Sequence, residues 1–168
     1  MAGHGTPTSP LAPDEAGPST LGIAAASWHT TIMDALLDGA RRAAADAGLS
    51  VTEVRVPGSF EVPLAAQALA RTCDVVVGLG VIIRGETPHF EYISAAATEG
   101  LARVALDEST PVGNGVLTVN TEQQAIDRSG APGASEDAGY AAAEAAIRTY
   151  RALPGRGQRP APRRLSKF

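Results

Sequence analysis

The chain has 168 residues, 44% of them hydrophobic and only 4% aromatic, with a mean hydropathy near zero, which suits one globular domain with a core of small aliphatics and surface left over for assembly. A net charge of −4 and a pI near 5.3 supply no basic face for a phosphate backbone, which argues against nucleic acid as a partner. Cys73 is the sole cysteine, so an internal disulfide and a multi-cysteine metal site are both excluded; no apolar run approaches the roughly 20 residues of a membrane span and no charged leader precedes an apolar core, so the expected compartment is the cytoplasm.

Residues 1–20 are rich in Pro, Gly, Ser and Thr without periodicity and read as a disordered arm. LGIAAASW (21–28) reads as the first strand, followed by a helix from Thr31 to Ala47 with Ile32, Leu36, Ala40 and Ala43 on one side and Gly48 as its stop. VTEVRVP (51–57) is the next strand, and a short helix follows at LAAQALART. DVVVGLGVII (74–83) is apolar without alternation, as a strand covered on both faces would be, and belongs at the centre of the sheet. A helix from Pro88 to Leu106, a strand at PVGNGVLTV, a short helix over 121–129 and a last helix from Ser135 to Leu153 complete the domain, 21–153. Residues 154–168 read as a flexible basic tail. Strands alternating with helices imply a three-layer α/β/α domain around a four-stranded parallel sheet.

In such sheets ligands bind at the carboxyl ends of the strands, so chemistry is expected in the strand-exit loops. After the central strand, Thr87 reads as an N-cap and Pro88 as the first helical residue, with His89 in the first turn. The N–H groups of Gly85, Glu86 and Thr87 then point out of the helix end, where the macrodipole favours an anion. His89 beside that anion is either a proton carrier or a helix-start residue packing on its neighbours. In PGSFEVP, Ser59 and Glu61 either cap the following helix or face a polyhydroxylated ligand. Trp28 ends the first strand and either stacks on a flat heterocycle or covers the sheet edge. Arg84 reads as a structural partner of a carboxylate or carbonyl, and Arg128 as a helix C-terminal charge or a phosphate fork. His29 and His89 have no carboxylate or cysteine at ligand spacing, so no metal is expected.

Taken together, SWH, VPGSFEVPLAAQ, GLGVIIRGETPHFEY, GNGVLTVNTEQQAIDRSG and SEDAG closely resemble the lumazine synthase family, in order and without large gaps from Leu21 to Leu153, and in the phrasing of its actinobacterial members. The resemblance implies a flavodoxin-like fold whose N-terminal arm adds an edge strand from or to a neighbour. It also implies a transferase of riboflavin biosynthesis that condenses 5-amino-6-(D-ribitylamino)uracil with 3,4-dihydroxy-2-butanone 4-phosphate, losing phosphate and water, without cofactor or metal. By resemblance, Trp28 stacks on the pyrimidine, Ser59, Phe60 and Glu61 hold the ribityl chain, and Val81, Ile82 and Ile83 read the uracil edge. Gly85, Glu86 and Thr87 cradle the phosphate, Asn114 and Arg128 come from the adjacent subunit, and His89 shuttles protons. The family assembles pentamers with sites between subunits, which in many members build a sixty-subunit icosahedral shell.

One departure stands out: where the family usually reads EDKG, this chain has Glu136, Asp137, Ala138 and Gly139, which removes a cation from the phosphate site. That leaves a catalytically weakened or specialised lumazine- or flavin-binding shell as the alternative. An archaeal-type riboflavin synthase would be expected to lack RGETPHF. A flavodoxin-like cofactor carrier would place its phosphate loop after the first strand, where SWHTT lacks the glycines or the serine and threonine run.

Overall fold

The computed structural model describes residues 9–154. Five helices and four strands alternate as β1 (Thr20–Ala26), α1 (Thr30–Ala47), β2 (Ser50–Val56), α2 (Val62–Ala70), β3 (Val75–Ile83), α3 (His89–Asp107), β4 (Val112–Val119), α4 (Glu122–Ile126) and α5 (Ala138–Ala152). The strands form one parallel sheet in the order β2-β1-β3-β4, so β3 lies inside it as its unbroken apolar run requires. Its first eight residues are all buried.

The period of two along each strand sorts side chains into two cores. Leu21, Ile23 and Ala25 of β1 join Val75, Val77 and Leu79 of β3 beneath α1 and α5. Ala24, Ala26 and Val76 face Val62, Ala66 and Leu101 of α2 and α3. Leu101, 1% exposed, sits directly over Gly78, where an added Cβ would stand 2.7 Å from its methyl carbons. Truncating Leu101 to alanine would therefore open a cavity at a cost of about 2–5 kcal/mol. α1 and α5 approach still more closely, since a Cβ at Gly139 would collide with the backbone carbonyl of Leu36.

Gly48 ends α1 in the left-handed region (φ 74°), donating to the carbonyls of Ala44 and Ala45. The end of the chain differs from the expected long last helix and from a fourth helix running to residue 129. α4 stops at Ile126, and α5 begins at Ala138 rather than Ser135. Two glycines with positive φ, Gly130 (80°) and Gly133 (88°), turn the intervening chain back on itself. Ser135 and Glu136 then donate their N–H groups to Asp127 O at 2.9 and 3.0 Å, and Asp137 caps α5 by accepting from Tyr140 N at 3.0 Å.

Residues 9–20, expected to belong to a disordered arm, are described with the domain. From residue 9 onward the chain is packed: Leu11 is buried in the α1/α5 core, Arg148 and Arg151 of α5 donate to the carbonyls of Ser9 and Ala12, and Ser19 donates to Asp74 through both N–H (2.9 Å) and hydroxyl (2.8 Å). Burial of one leucine side chain contributes about 1.5–3 kcal/mol, which offsets much of the cost of ordering the few residues around it. Residues 1–8 of the arm, and the tail beyond Pro154, lie outside the described residues. Among the described residues no helix is long and apolar enough to cross a membrane.

Candidate functional site

The exits of β1, β2 and β3 and the first turn of α3 enclose one cavity of about 540 Å³. The β1 exit supplies Trp28 and His29; the β2 exit supplies Pro57 to Glu61; β3 supplies Val81, Ile82 and Ile83; Gly85, Thr87, His89, Phe90 and Ile93 close it from the α3 side. The cavity thus gathers Trp28, Ser59, Phe60, Glu61, Val81, Ile82, Ile83, Gly85, Thr87 and His89 from among the residues singled out in the sequence. Glu86, Asn114 and Arg128 do not line it.

Trp28 does not cover the sheet edge. The residue is 71% exposed and lines the cavity, so most of its ring surface is left open among the described residues. His29, weighed in the sequence only as a metal ligand, follows it in the left-handed region at φ 57° and ψ 55°. Such a conformation costs a non-glycine residue about 1–2 kcal/mol and turns the chain sharply between β1 and α1. Phe90 and Ile93 were missed; for Ile93 the four-residue spacing from His89 is the signal, because positions four apart on a helix share a face.

The β2 exit forms a tight turn. Glu61 precedes α2, but its side chain caps no helical N–H; instead Oε2 accepts from Gly58 N at 3.0 Å. The other carboxylate oxygen is left available to a ligand. Ser59 is buried, and its hydroxyl fills the space over Gly80 of β3, where an added Cβ would lie 2.5 Å from Ser59 Oγ. Gly80 therefore sets where that hydroxyl can sit.

The α3 start is one residue later than the sequence suggested. Pro88 (φ −62°, ψ −2°) is the N-cap, its carbonyl accepting from Glu91 N and Tyr92 N at 3.1 and 3.4 Å, and no side chain caps the helix. Thr87 is exposed rather than capping, so its hydroxyl remains unengaged. The N–H groups of Gly85, Glu86, Thr87, His89 and Phe90 have no acceptor among the described residues, and a Cβ at Gly85 would meet nothing within 4 Å. Unpaired N–H groups, the positive end of a 19-residue helix and open space at Gly85 leave this helix start free to take an acceptor from outside the chain.

Arg84 takes the structural part expected of it. Nε donates to Asn120 Oδ1 at 2.9 Å, Nη1 pairs with Glu91, and Cζ lies 4.2 Å from the centroid of the Phe90 ring. The Arg84 hydrogen bond holds the Glu91 carboxyl below the usual carboxylate range.

Arg128 donates Nη1 to Gln124 O at 2.9 Å near the end of α4. Among the described residues, which contain no lysine, it is the one arginine with no carboxylate within 4.0 Å. Asn114 stands exposed on the edge strand β4, its Oδ1 accepting from Val116 N at 3.0 Å and its amide NH₂ free to donate elsewhere. Ala138, at the N-terminus of α5, packs against the core rather than leaving a vacant charge site. Among the described residues no cluster of His, Cys, Asp or Glu could hold a metal.

A parallel α/β/α domain whose strand exits gather an exposed tryptophan, a buried serine hydroxyl, a carboxylate and a histidine around one cavity, next to a helix start with unpaired N–H groups, has the build of an enzyme for small molecules. The family model for 6,7-dimethyl-8-ribityllumazine synthase matches residues 18–153, and the chain belongs to that family. It is 59% identical over 150 residues to the 6,7-dimethyl-8-ribityllumazine synthase of Mycolicibacterium gilvum, covering 89% of this chain and 93% of the relative. It is 56% identical to the one from Kocuria rhizophila, over 89% and 96% of the two chains, and 59% identical to the one from Mycobacterium leprae, over 77% and 81%. Relatives this similar do not favour the non-catalytic shell that Ala138 raised.

Proposed function

We propose that the protein condenses 5-amino-6-(D-ribitylamino)uracil with 3,4-dihydroxy-2-butanone 4-phosphate to 6,7-dimethyl-8-ribityllumazine, releasing phosphate and water. The observation that carries this reading is that one cavity gathers Trp28, Ser59 and Glu61 from the β1 and β2 exits together with Gly85, Thr87 and His89 from the start of α3, where backbone N–H groups are unpaired. The pyrimidine lies on the Trp28 indole with its edge along Val81 to Ile83, its ribityl hydroxyls reach Ser59, Phe60 and Glu61, and the phosphate rests on the cradle. The 5-amino nitrogen attacks the ketone, and loss of water gives an imine. Departure of phosphate and attack of the ribitylamino nitrogen then close the second ring, with loss of further water. His89 takes and returns the protons of these steps from its place between cradle and pyrimidine.

Both substrates arrive activated, so placement carries most of the rate: pre-paid orientation contributes roughly 7–11 kcal/mol, and one acid/base group about 10² to 10⁴-fold. Arg128 and Asn114 act from an adjacent subunit of a pentamer, with an icosahedral shell as the larger form, in a soluble compartment of the cell. The guanidinium of Arg128, without a carboxylate partner among the described residues and outside its own chain's cavity, supports that arrangement. Mixing the protein with both substrates and following lumazine fluorescence alongside phosphate release tests the reaction, and no product at saturating substrates refutes it. Light scattering tests the assembly, and a monomer refutes it.

A further inference from the structure

The loop that carries the cradle is not held by its own bonds. Gly85, Glu86 and Thr87 make no hydrogen bond, backbone or side chain, among the described residues, although they sit between the last residue of β3 and the first turn of α3. What spans them is the preceding residue. Arg84 continues the sheet ladder through its N–H to Val119 O at 2.9 Å, and its side chain then leaves in three directions at once. Nε reaches Asn120 at 2.9 Å; Nη1 reaches Glu91; the guanidinium plane lies over Phe90 at 4.2 Å. Asn120 is itself fixed, because its N–H donates to Gln124 Oε1 of α4 at 2.8 Å.

We propose that Arg84 is the positioning residue of this site, a staple that joins the exits of β3 and β4 to the first turn of α3 and so fixes the 85–89 loop at both ends. Three things depend on it: the direction of the free N–H groups, the Phe90 wall of the cavity, and the bearing of His89 next to Phe90. Exposed ion pairs stabilise a fold little, and Arg84 and Glu91 are 46% and 54% exposed, so the role is geometric rather than stabilising. Only a planar guanidinium meets the stack and both hydrogen-bond directions together; an ammonium in its place keeps the charge and loses the geometry. A misplacement of about 1 Å at a reacting centre costs on the order of 10²-fold, whereas the pyrimidine wall at Trp28 and Ser59 is built on other elements.

This inference rests on the phosphate lying over Gly85 to Thr87, so the experiment separates the two. The full-length protein and its Arg84→Lys, Arg84→Met and Glu91→Gln variants are compared in turnover, in inhibition by inorganic phosphate, and in quenching of Trp28, the sole tryptophan, by the pyrimidine substrate. Arg84→Lys is expected to lower kcat/KM for the butanone phosphate by about 10 to 100-fold and to weaken phosphate inhibition in parallel. Trp28 quenching, particle mass and melting temperature should stay unchanged, and Glu91→Gln should shift the same parameters by less. An Arg84→Lys or Glu91→Gln protein with wild-type phosphate inhibition and turnover overturns the positioning role, as does a loss shared equally by Trp28 quenching. If Arg84→Met fails to assemble, Glu91→Gln decides. Phosphate that does not inhibit the unsubstituted protein overturns the cradle itself.

Discussion

Gly85→Ala separates what the fold needs from what the ligand needs. The position is outside the positive-φ region and a Cβ there meets nothing within 4 Å, so the chain accommodates alanine without strain. Alanine also restricts the unfolded chain, which stabilises by about 0.4–1 kcal/mol, a rise of roughly 1–4 °C in melting temperature for a domain of this size. The same methyl stands beside N–H groups that have no partner in the protein. If it keeps a phosphate oxygen from one of them, a charge-assisted hydrogen bond of about 1.5–3 kcal/mol is lost, or roughly 10 to 150-fold in KM for the butanone phosphate. The pyrimidine KM should not move. Steady-state kinetics with each substrate varied, together with melting curves and particle mass, read all three quantities. An unchanged KM for the phosphorylated substrate in a correctly assembled Gly85→Ala protein refutes the cradle, and a large loss of stability refutes the steric argument.

His89→Ala should lower kcat by about 10² to 10⁴-fold yet leave measurable lumazine formation, because placement persists; complete loss with intact substrate binding would reverse that ranking. Arg128→Met and His89→Ala subunits, each impaired alone, should regain activity when dissociated and reassembled together, since roughly a quarter of sites in an equal mixture then pair an intact His89 with a neighbour's intact Arg128. No gain on mixing would place Arg128 in its own chain's site. Tyr140 titrates with the fold: burial, aided by its 2.9 Å hydrogen bond to Asp46, pushes its phenol from 10.0 up to about 12. A folded value above the unfolded one means that this contribution is complete below pH 10 and is lost as pH rises toward 12. Urea unfolding across that window should show a falling limb that Tyr140→Phe flattens.

The elements that were legible in sequence are those fixed by local pattern. The unbroken DVVVGLGVII run could only be an inner strand, and the Pro88 to His89 junction located a helix start to within one residue. The cavity followed because parallel strands bring their exits to one edge of the sheet, so Trp28, Glu61 and His89 converge from three separate loops. What escaped depends on contacts that a one-dimensional pattern does not carry. The left-handed turn at His29 has no glycine to announce it. The late start of α5 depends on hydrogen bonds from Ser135 and Glu136 back to Asp127, across eight and nine residues. Arg128 and Arg84 looked alike as arginines near loops; only the presence of Glu91 and Asn120 around one, and of a backbone carbonyl but no carboxylate around the other, tells them apart.

The packed part of the N-terminal arm carries a consequence for how this protein can vary. Arg148 and Arg151 hold it by its main-chain carbonyls at Ser9 and Ala12, groups that every amino acid provides, while side chains fix it at Leu11 in the core, at Asp14 beside Arg151 and at Ser19 on Asp74. The route of the arm is thus encoded in part in α5. Replacing Ser9 or Ala12 should leave the arm's path as it is, whereas changing two arginines more than a hundred positions away should release it.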